Sequence, residues 1–259
     1  MTRLAAVAAA ALLCACSRSG QEKTPVKAQQ PKPEAPIVHV DPATAATVTG
    51  AVRFTGHRPA RRKIDISEDP ACVKANPEGL YDETLIIGPS GAVANTFVYI
   101  SKGLEGKNFP KPALPIVLDQ KGCKFTPHVL GTEPGQQFEV TNSDPVTHNV
   151  HPLAKVNREW NQSQGPGDPP VKRKFAREEI MMRVKCNIHN WMRAWIGVVD
   201  HPYFAVSGVD GSFRIPNLPP GDYTLRAWHE TLGESEQTFH VGPNESKAVT
   251  FTFSGTSGG

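Results

Sequence analysis

Beyond its first sixteen residues the chain has no apolar run approaching the roughly 20 residues that a bilayer-spanning helix needs, so no later segment is expected to cross a membrane. Net charge is also scarce. With 28 Lys and Arg against 25 Asp and Glu, the formal balance is +3, too small a positive excess for a nucleic-acid partner. The densest basic stretch, residues 57–63 (HRPARRK), lacks interleaved aromatics and reads as a solvated strand end, with some pull on an acidic redox partner. No Ser/His/Asp ordering and no paired-carboxylate signature is present, so no enzyme is expected. Helical periodicity and internal repeats are missing too. With 24 Pro and 22 Gly scattered as turns, an all-β body is the simplest reading.

What is present begins at the N-terminus. Arg3 is followed by an apolar run over residues 4–13, too short for a span and suited to the core of a signal peptide. It ends in Leu13-Cys14-Ala15-Cys16, which resembles the bacterial lipobox. The resemblance implies cleavage before Cys16, lipidation of that residue, and a periplasmic protein attached to a membrane by its acyl chains. Ser17 stands where an acidic retention signal would stand, which implies the outer membrane. Residues 17–37 hold Pro, Gln, Lys and Glu with almost nothing to bury, and read as a flexible linker.

Of the five cysteines, Cys14 would leave with the signal and Cys16 would carry lipid. In an oxidising compartment Cys72 and Cys123 are the expected disulfide. Cys186 is then single, and its neighbours supply a reason for it.

Strand signals recur along the body. Residues 46–55 (ATVTGAVRFT) alternate apolar and polar. Strands are expected at 83–87 and 92–101 around a Gly88–Gly91 turn, and at 115–119, 123–129, 136–141, 179–185 and 194–199. Residues 153–174 are polar and without period, which predicts a long loop or insertion.

The chemistry concentrates in Cys186-Asn187-Ile188-His189-Asn190-Trp191-Met192. A thiolate, an imidazole and a thioether lie within one short connection between two expected strands. Thiolate and thioether are soft ligands, and two His, one Cys and a distant Met are the donor set of electron-transfer copper. Zinc is held more often by further Cys or His. The second imidazole is expected from Asn142-Ser143-Asp144-Pro145-Val146-Thr147-His148-Asn149, with His148 the ligand. His151, three residues on, would face away on a strand; it is expected at the surface, with an extra ligand on a bent backbone as the alternative. His128, His201 and His229 are expected to be structural, and Trp195 and Trp228 to be packing residues.

Residues 125–150 together with 184–199 resemble the cupredoxin family of plastocyanin- and amicyanin-like copper proteins. The resemblance implies a Greek-key β-sandwich holding one type 1-like copper ion through His148, Cys186, His189 and Met192. It further implies that Asn149 hydrogen-bonds across to the ligand loop, that His189 lies at the solvent edge and passes the electron, and that Trp191 forms an apolar docking surface beside it. The partner would be a redox protein of the cell envelope, for example a cytochrome or a dehydrogenase.

Residues 204–253 carry Asp210-Gly211-Ser212-Phe213 and Leu218-Pro219-Pro220-Gly221-Asp222-Tyr223, and resemble the carboxypeptidase-regulatory or transthyretin-like β-sandwich. That block is short for a full sandwich, and residues 46–55 are expected to cross over and complete it. The expected organisation is a signal peptide over 1–16, the linker over 17–37, N-terminal strands within 38–115, a copper domain over 84–200 and the second small sandwich over 201–254. Single-electron transfer is the expected function. Copper storage or delivery, and a structural or adhesive lipoprotein, are the alternatives.

Overall fold

The computed structural model describes residues 36–255. The signal-peptide and lipidation expectations, Cys16 included, and nearly all of the linker lie outside the described residues.

The chain is all-β. Its first half runs β1 (Ala46–Thr55), β2 (Lys63–Ile64), α1 (Pro70–Ala75), β3 (Leu80–Tyr81), β4 (Phe97–Lys102), β5 (Ile116–Gln120), β6 (Phe125–Thr126), β7 (Val129–Thr132), β8 (Phe138–Asn142) and β9 (His148–Pro152). The second half runs β10 (Gln162–Gln164), β11 (Val171–Arg173), β12 (Glu179–Lys185), β13 (Arg193–Val198), β14 (Phe204–Val206), β15 (Ser212–Leu218), β16 (Gly221–His229), β17 (Gly233–Val241) and β18 (Ser246–Ser254).

The central strands form one sandwich, with sheet β10-β9-β12-β13-β7 over sheet β11-β8-β5-β6. Period-two alternation drives the packing: Phe138 and Val140 of β8 point inward while Glu139 and Thr141 do not. They meet Leu118, Val150, Val184, Ala194 and Ile196 in a shared core. Burying each such side chain contributes roughly 1.5–3 kcal/mol.

The outer strands form a second sandwich, with sheet β15-β1-β18 over sheet β14-β4-β16-β17. Residues 46–55 lie between both ends of the C-terminal block: β1 pairs antiparallel with β15 and parallel with β18. Val48, Val52, Ile215, Leu225 and Phe251 fill the core. Gly50 is required there, because a Cβ at that position would fall 2.3 Å from the Phe213 ring.

β4 is apolar on both faces because both are covered. Val98 and Ile100 enter the second core, while Phe97 and Tyr99 join Val129, Met181 and Val199 in a cluster between the sandwiches. Trp195 and Trp228 meet in that same contact, with ring centroids 4.9 Å apart.

Several expectations need correction. Residues 84–115 do not open the copper half as one piece: β4 pairs with β14 and β16 of the second sandwich, and the central sandwich begins at β5. Residues 83–87 form no strand, only an Ile87–Val93 bridge, and Asn95 at φ +60° delays the next strand to Phe97. The single strand expected over 123–129 is two short ones separated at Pro127, which has no N–H to offer a ladder. The 153–174 loop contains β10 and β11, three-residue strands that pair with β9 and β8. A helix was not expected, yet Asp69 caps α1 by accepting from the N–H groups of Ala71 and Cys72.

Candidate metal centre

Two turns bring the donors together. After β8, the Asn142 side chain donates to the carbonyls of Val146 (2.8 Å) and Gln164 (2.9 Å) and accepts from the Asp144 N–H (3.1 Å). This side-chain-closed turn sets His148 as the first residue of β9, fully buried. Between β12 and β13 the connection is pinned by Cys186 N–H to the Met192 carbonyl (3.2 Å) and Met192 N–H to the His189 carbonyl (3.0 Å). Cys186 and His189 therefore face inward on the same short loop.

The His148 and His189 Nδ1 atoms are 2.9 Å apart, and Cys186 Sγ is 3.9 Å from His189 Nδ1. One donor atom from each of the three residues lies within 4.8 Å of the others. Met192 is buried in the same core cluster as Cys186. Cys186 is a free thiol, and its sulfur accepts from the N–H groups of Asn149 (3.3 Å), His189 (3.3 Å) and Ile188 (3.4 Å). Burial alone would push this thiol up, but the His148 ring and those three N–H groups outweigh it and bring it down to about 7.

Each imidazole leans on a carboxylate at its far side. His148 Nε2 is 2.8 Å from Asp144 Oδ2, and His189 Nε2 is 2.9 Å from Asp69 Oδ2. Burial works to lower His148, but Asp144 and Cys186 override it and raise it to about 9. Asp144 is held below the usual carboxylate range: burial opposes ionisation there, and His148 with the Cys123 and Gly122 N–H groups overcomes it. Asp69 is lowered by His189 first and by the Cys72 N–H next. An ionised carboxylate only accepts, so each Nε2 must carry the proton, and a neutral imidazole then presents a bare lone pair at Nδ1. The two Nδ1 atoms face each other at 2.9 Å beside an acidified thiol, and with His148 raised to about 9 its Nδ1 carries a proton that His189 Nδ1 accepts. A metal ion replacing that proton would meet both Nδ1 atoms and the thiolate as donors.

Three of the four residues expected to ligate, His148, Cys186 and His189, thus surround one buried point, and Met192 lies in the same core cluster as Cys186. Asn149 bridges to the ligand loop: its Oδ1 accepts from the Asn187 N–H at 3.1 Å. Cys72 and Cys123 form a disulfide. His151 bonds Glu159 (2.6 Å) and Asn187 (3.3 Å) outside the donor cluster. His128 pairs with Glu230, and His201 Nε2 donates to the Ile100 carbonyl.

Two expectations fail. His189 is not at a solvent edge, being only 4% exposed behind Asp69. Trp191 is half-buried, its indole N–H donates to the Cys123 carbonyl (3.0 Å), and it packs on the disulfide cluster. The same segment, residues 65–76, covers both, and Cys72 anchors it. The exposed part of the ligand loop is Asn187, Ile188 and Asn190, with Ile188 its apolar member at 54%.

Sequence reasoning missed Asp69 and Asp144. Asp144 lies four residues before His148 and was legible as a neighbour. Asp69 is 120 residues from His189, and its only local signal was the Asp-Pro start of α1.

No protein-family model matches the chain, and no curated protein does either. Among solved structures it is similar to a copper-containing nitrite reductase of Thermus scotoductus SA-01, at 19% identity and TM-score 0.32, over 40% of this chain and 25% of that one. The chain thus spans a quarter of that enzyme's length. It is also similar to an amicyanin mutant in its Cu(I) form, at 22% identity and TM-score 0.29, over 33% of this chain and 82% of that one. A purple cupredoxin of Nitrosopumilus maritimus aligns at 20% identity and TM-score 0.26, over 29% of this chain and 82% of that one.

Proposed function

We propose that this chain is a mononuclear copper protein of the cupredoxin type that carries single electrons in the cell envelope, tethered through lipidated Cys16. The observation that carries the reading is the pair of Nδ1 atoms 2.9 Å apart beside the Cys186 sulfur, all buried. Two imidazoles, one thiolate and a neighbouring thioether fit copper better than zinc, for which a thioether is a poor ligand. A bound copper ion supplies a one-electron Cu(II)/Cu(I) couple.

The chain's own groups do the rest. Cys186, its sulfur already accepting from three N–H groups, would bind as thiolate, and His148 and His189 would bind through Nδ1. Met192, buried in the same core cluster, would supply the thioether. Asn149 ties β9 to the ligand loop, so the donors keep one spacing in both oxidation states and little rearrangement opposes transfer. Burial excludes water and any substrate, which favours a carrier over an enzyme. With His189 covered, the electron crosses the surface at Asn187 and Ile188, next to the Cys186 thiolate. A redox protein with an apolar contact patch is the partner this surface suits. The transthyretin-like resemblance of the second sandwich is a further part of this reading.

Copper-loaded protein is expected to show an intense visible thiolate-to-copper charge-transfer band and a reversible one-electron couple. Both should vanish in Cys186→Ser. A colourless protein that takes up only Cu(I) would point to storage or delivery, and absence of copper binding would sink the reading.

A further inference from the structure

The central feature left over is the pair of carboxylates behind the imidazoles and what holds them. Asp144 Oδ1 accepts from the Gly122 N–H (2.6 Å), and its Oδ2 accepts from the Cys123 N–H (2.7 Å). Asp69 Oδ1 accepts from the N–H groups of Ala71 (2.9 Å) and Cys72 (3.1 Å). Each carboxylate is thus bolted to the backbone of one half-cystine, and the Cys72–Cys123 bond joins the two anchors. The cystine lies against the imidazoles: Cys72 Sγ groups within 4.8 Å with donor atoms of Asp69 and His189, and Cys123 Sγ does so with Asp144 and His148. Asn76 adds a brace, its side-chain amide donating to the carbonyls of Cys72 (2.9 Å) and Gly122 (3.1 Å).

We infer that Asp69 and Asp144 are positioning residues that lock both imidazoles with Nδ1 inward and bias the site toward the more highly charged ion, Cu(II), and that the Cys72–Cys123 disulfide is the strut holding them in place. The inference rests on the copper reading. Its physical basis is twofold. A carboxylate accepting the Nε2 proton fixes ring orientation and makes the opposite nitrogen a stronger donor. Two further negative charges near the ion also stabilise its dication more than its monocation.

The test uses the full chain and two isosteric variants, Asp69→Asn and Asp144→Asn, with Asp69→Ala for comparison. Asp69→Asn keeps the cap acceptor and loses only the charge, so the fold and the 1:1 copper stoichiometry should persist. Its Cu(II) affinity should fall about tenfold or more relative to its Cu(I) affinity, in line with the roughly 10–100-fold effects of such partners. A tenfold differential corresponds to a midpoint potential about 59 mV higher for a one-electron couple. A purely structural role would weaken both oxidation states alike and leave the potential where it was.

A metal-free readout stands beside it. In the copper-free chain, nitrogen-edited NMR should find a slowly exchanging Nε2 proton on His189, lost in Asp69→Ala. Wild-type copper binding with unchanged potentials in both Asn variants would overturn the proposed bias, and a His189 proton on Nδ1 would overturn the lock. If wild type binds no copper, the function proposed above falls, and with it the bias, while the NMR result alone decides the lock.

Discussion

His229 is buried at the end of β16 with its Nδ1 accepting the N–H groups of Thr231 (3.1 Å) and Leu232 (3.3 Å). Its proton therefore sits on Nε2, which finds no acceptor among the described residues. Burial pushes the group down to about 4, with Glu230 pulling up and His128 pushing down by smaller amounts. Unfolded, a histidine titrates near 6.5, so from there down to about 4 the unfolded chain binds more protons than the folded one. Stability should fall as pH drops through that window, by roughly 3 kcal/mol at its lower end. Asp82 acts in the same direction at lower pH: burial opposes its ionisation, but Arg62 and Thr84 hold it at about 2, so its contribution is lost only below the usual carboxylate range. Urea unfolding at pH 7 and pH 4.5 should therefore separate the two. The drop between those values should be clearly smaller in His229→Gln, and an equal drop would refute the assignment. Residues of this kind explain the uneven legibility of the site. Cys186, His189 and Met192 share one loop and His148 sits behind a recognisable Asn-x-Asp turn, so local pattern reveals them. Asp69 acts on His189 across the fold, and no spacing in the chain announces it.

At the scale of elements, the same contrast holds between long strands and short ones. β1 and β8 carry enough alternation to be read directly, whereas β10 and β11 are three residues each and mostly polar, ordered by the edges they pair with. α1 is only six residues long and exists because Asp69 caps it and Cys72 anchors it. The Cys72–Cys123 bond closes a separation of 51 residues, for which chain entropy gives about 4 kcal/mol of stabilisation. A Cys72→Ser, Cys123→Ser double variant should lose stability of that order in chemical denaturation. The segment over His189 should also open, seen as faster hydrogen exchange at Ala71 and Cys72's replacement than at β13. Unchanged exchange there would show that packing, not the cross-link, holds the cover.

Across the whole molecule, the decisive contact is the apolar layer between the sandwiches, where Phe97, Tyr99, Val129 and Met181 meet beside the Trp195–Trp228 pair. Apolar coupling of this kind favours a single cooperative transition. Phe251 belongs to β18, in the second sandwich, and is fully buried. Phe251→Ala should cost about 3–5 kcal/mol. Exposure of the Cys186 thiol to a thiol reagent should then shift with the loss of far-ultraviolet circular dichroism, although Cys186 lies in the other sandwich. A thiol that stays protected after the dichroism is lost would show two independent units. The all-β class was readable from turns and alternation, but the ownership of β4 was not: an apolar run buried on both faces does not say which core it serves. The pairing of β1 with β18 carries one last consequence, which concerns time. Among the described residues the first long strand is matched in parallel to the last, so it must wait, unsatisfied, until nearly the whole chain has entered the compartment where it folds. The strands of the metal half, Asp69 and both half-cystines all emerge before that wait ends. The metal centre can therefore be assembled while the sandwich that flanks it is still incomplete.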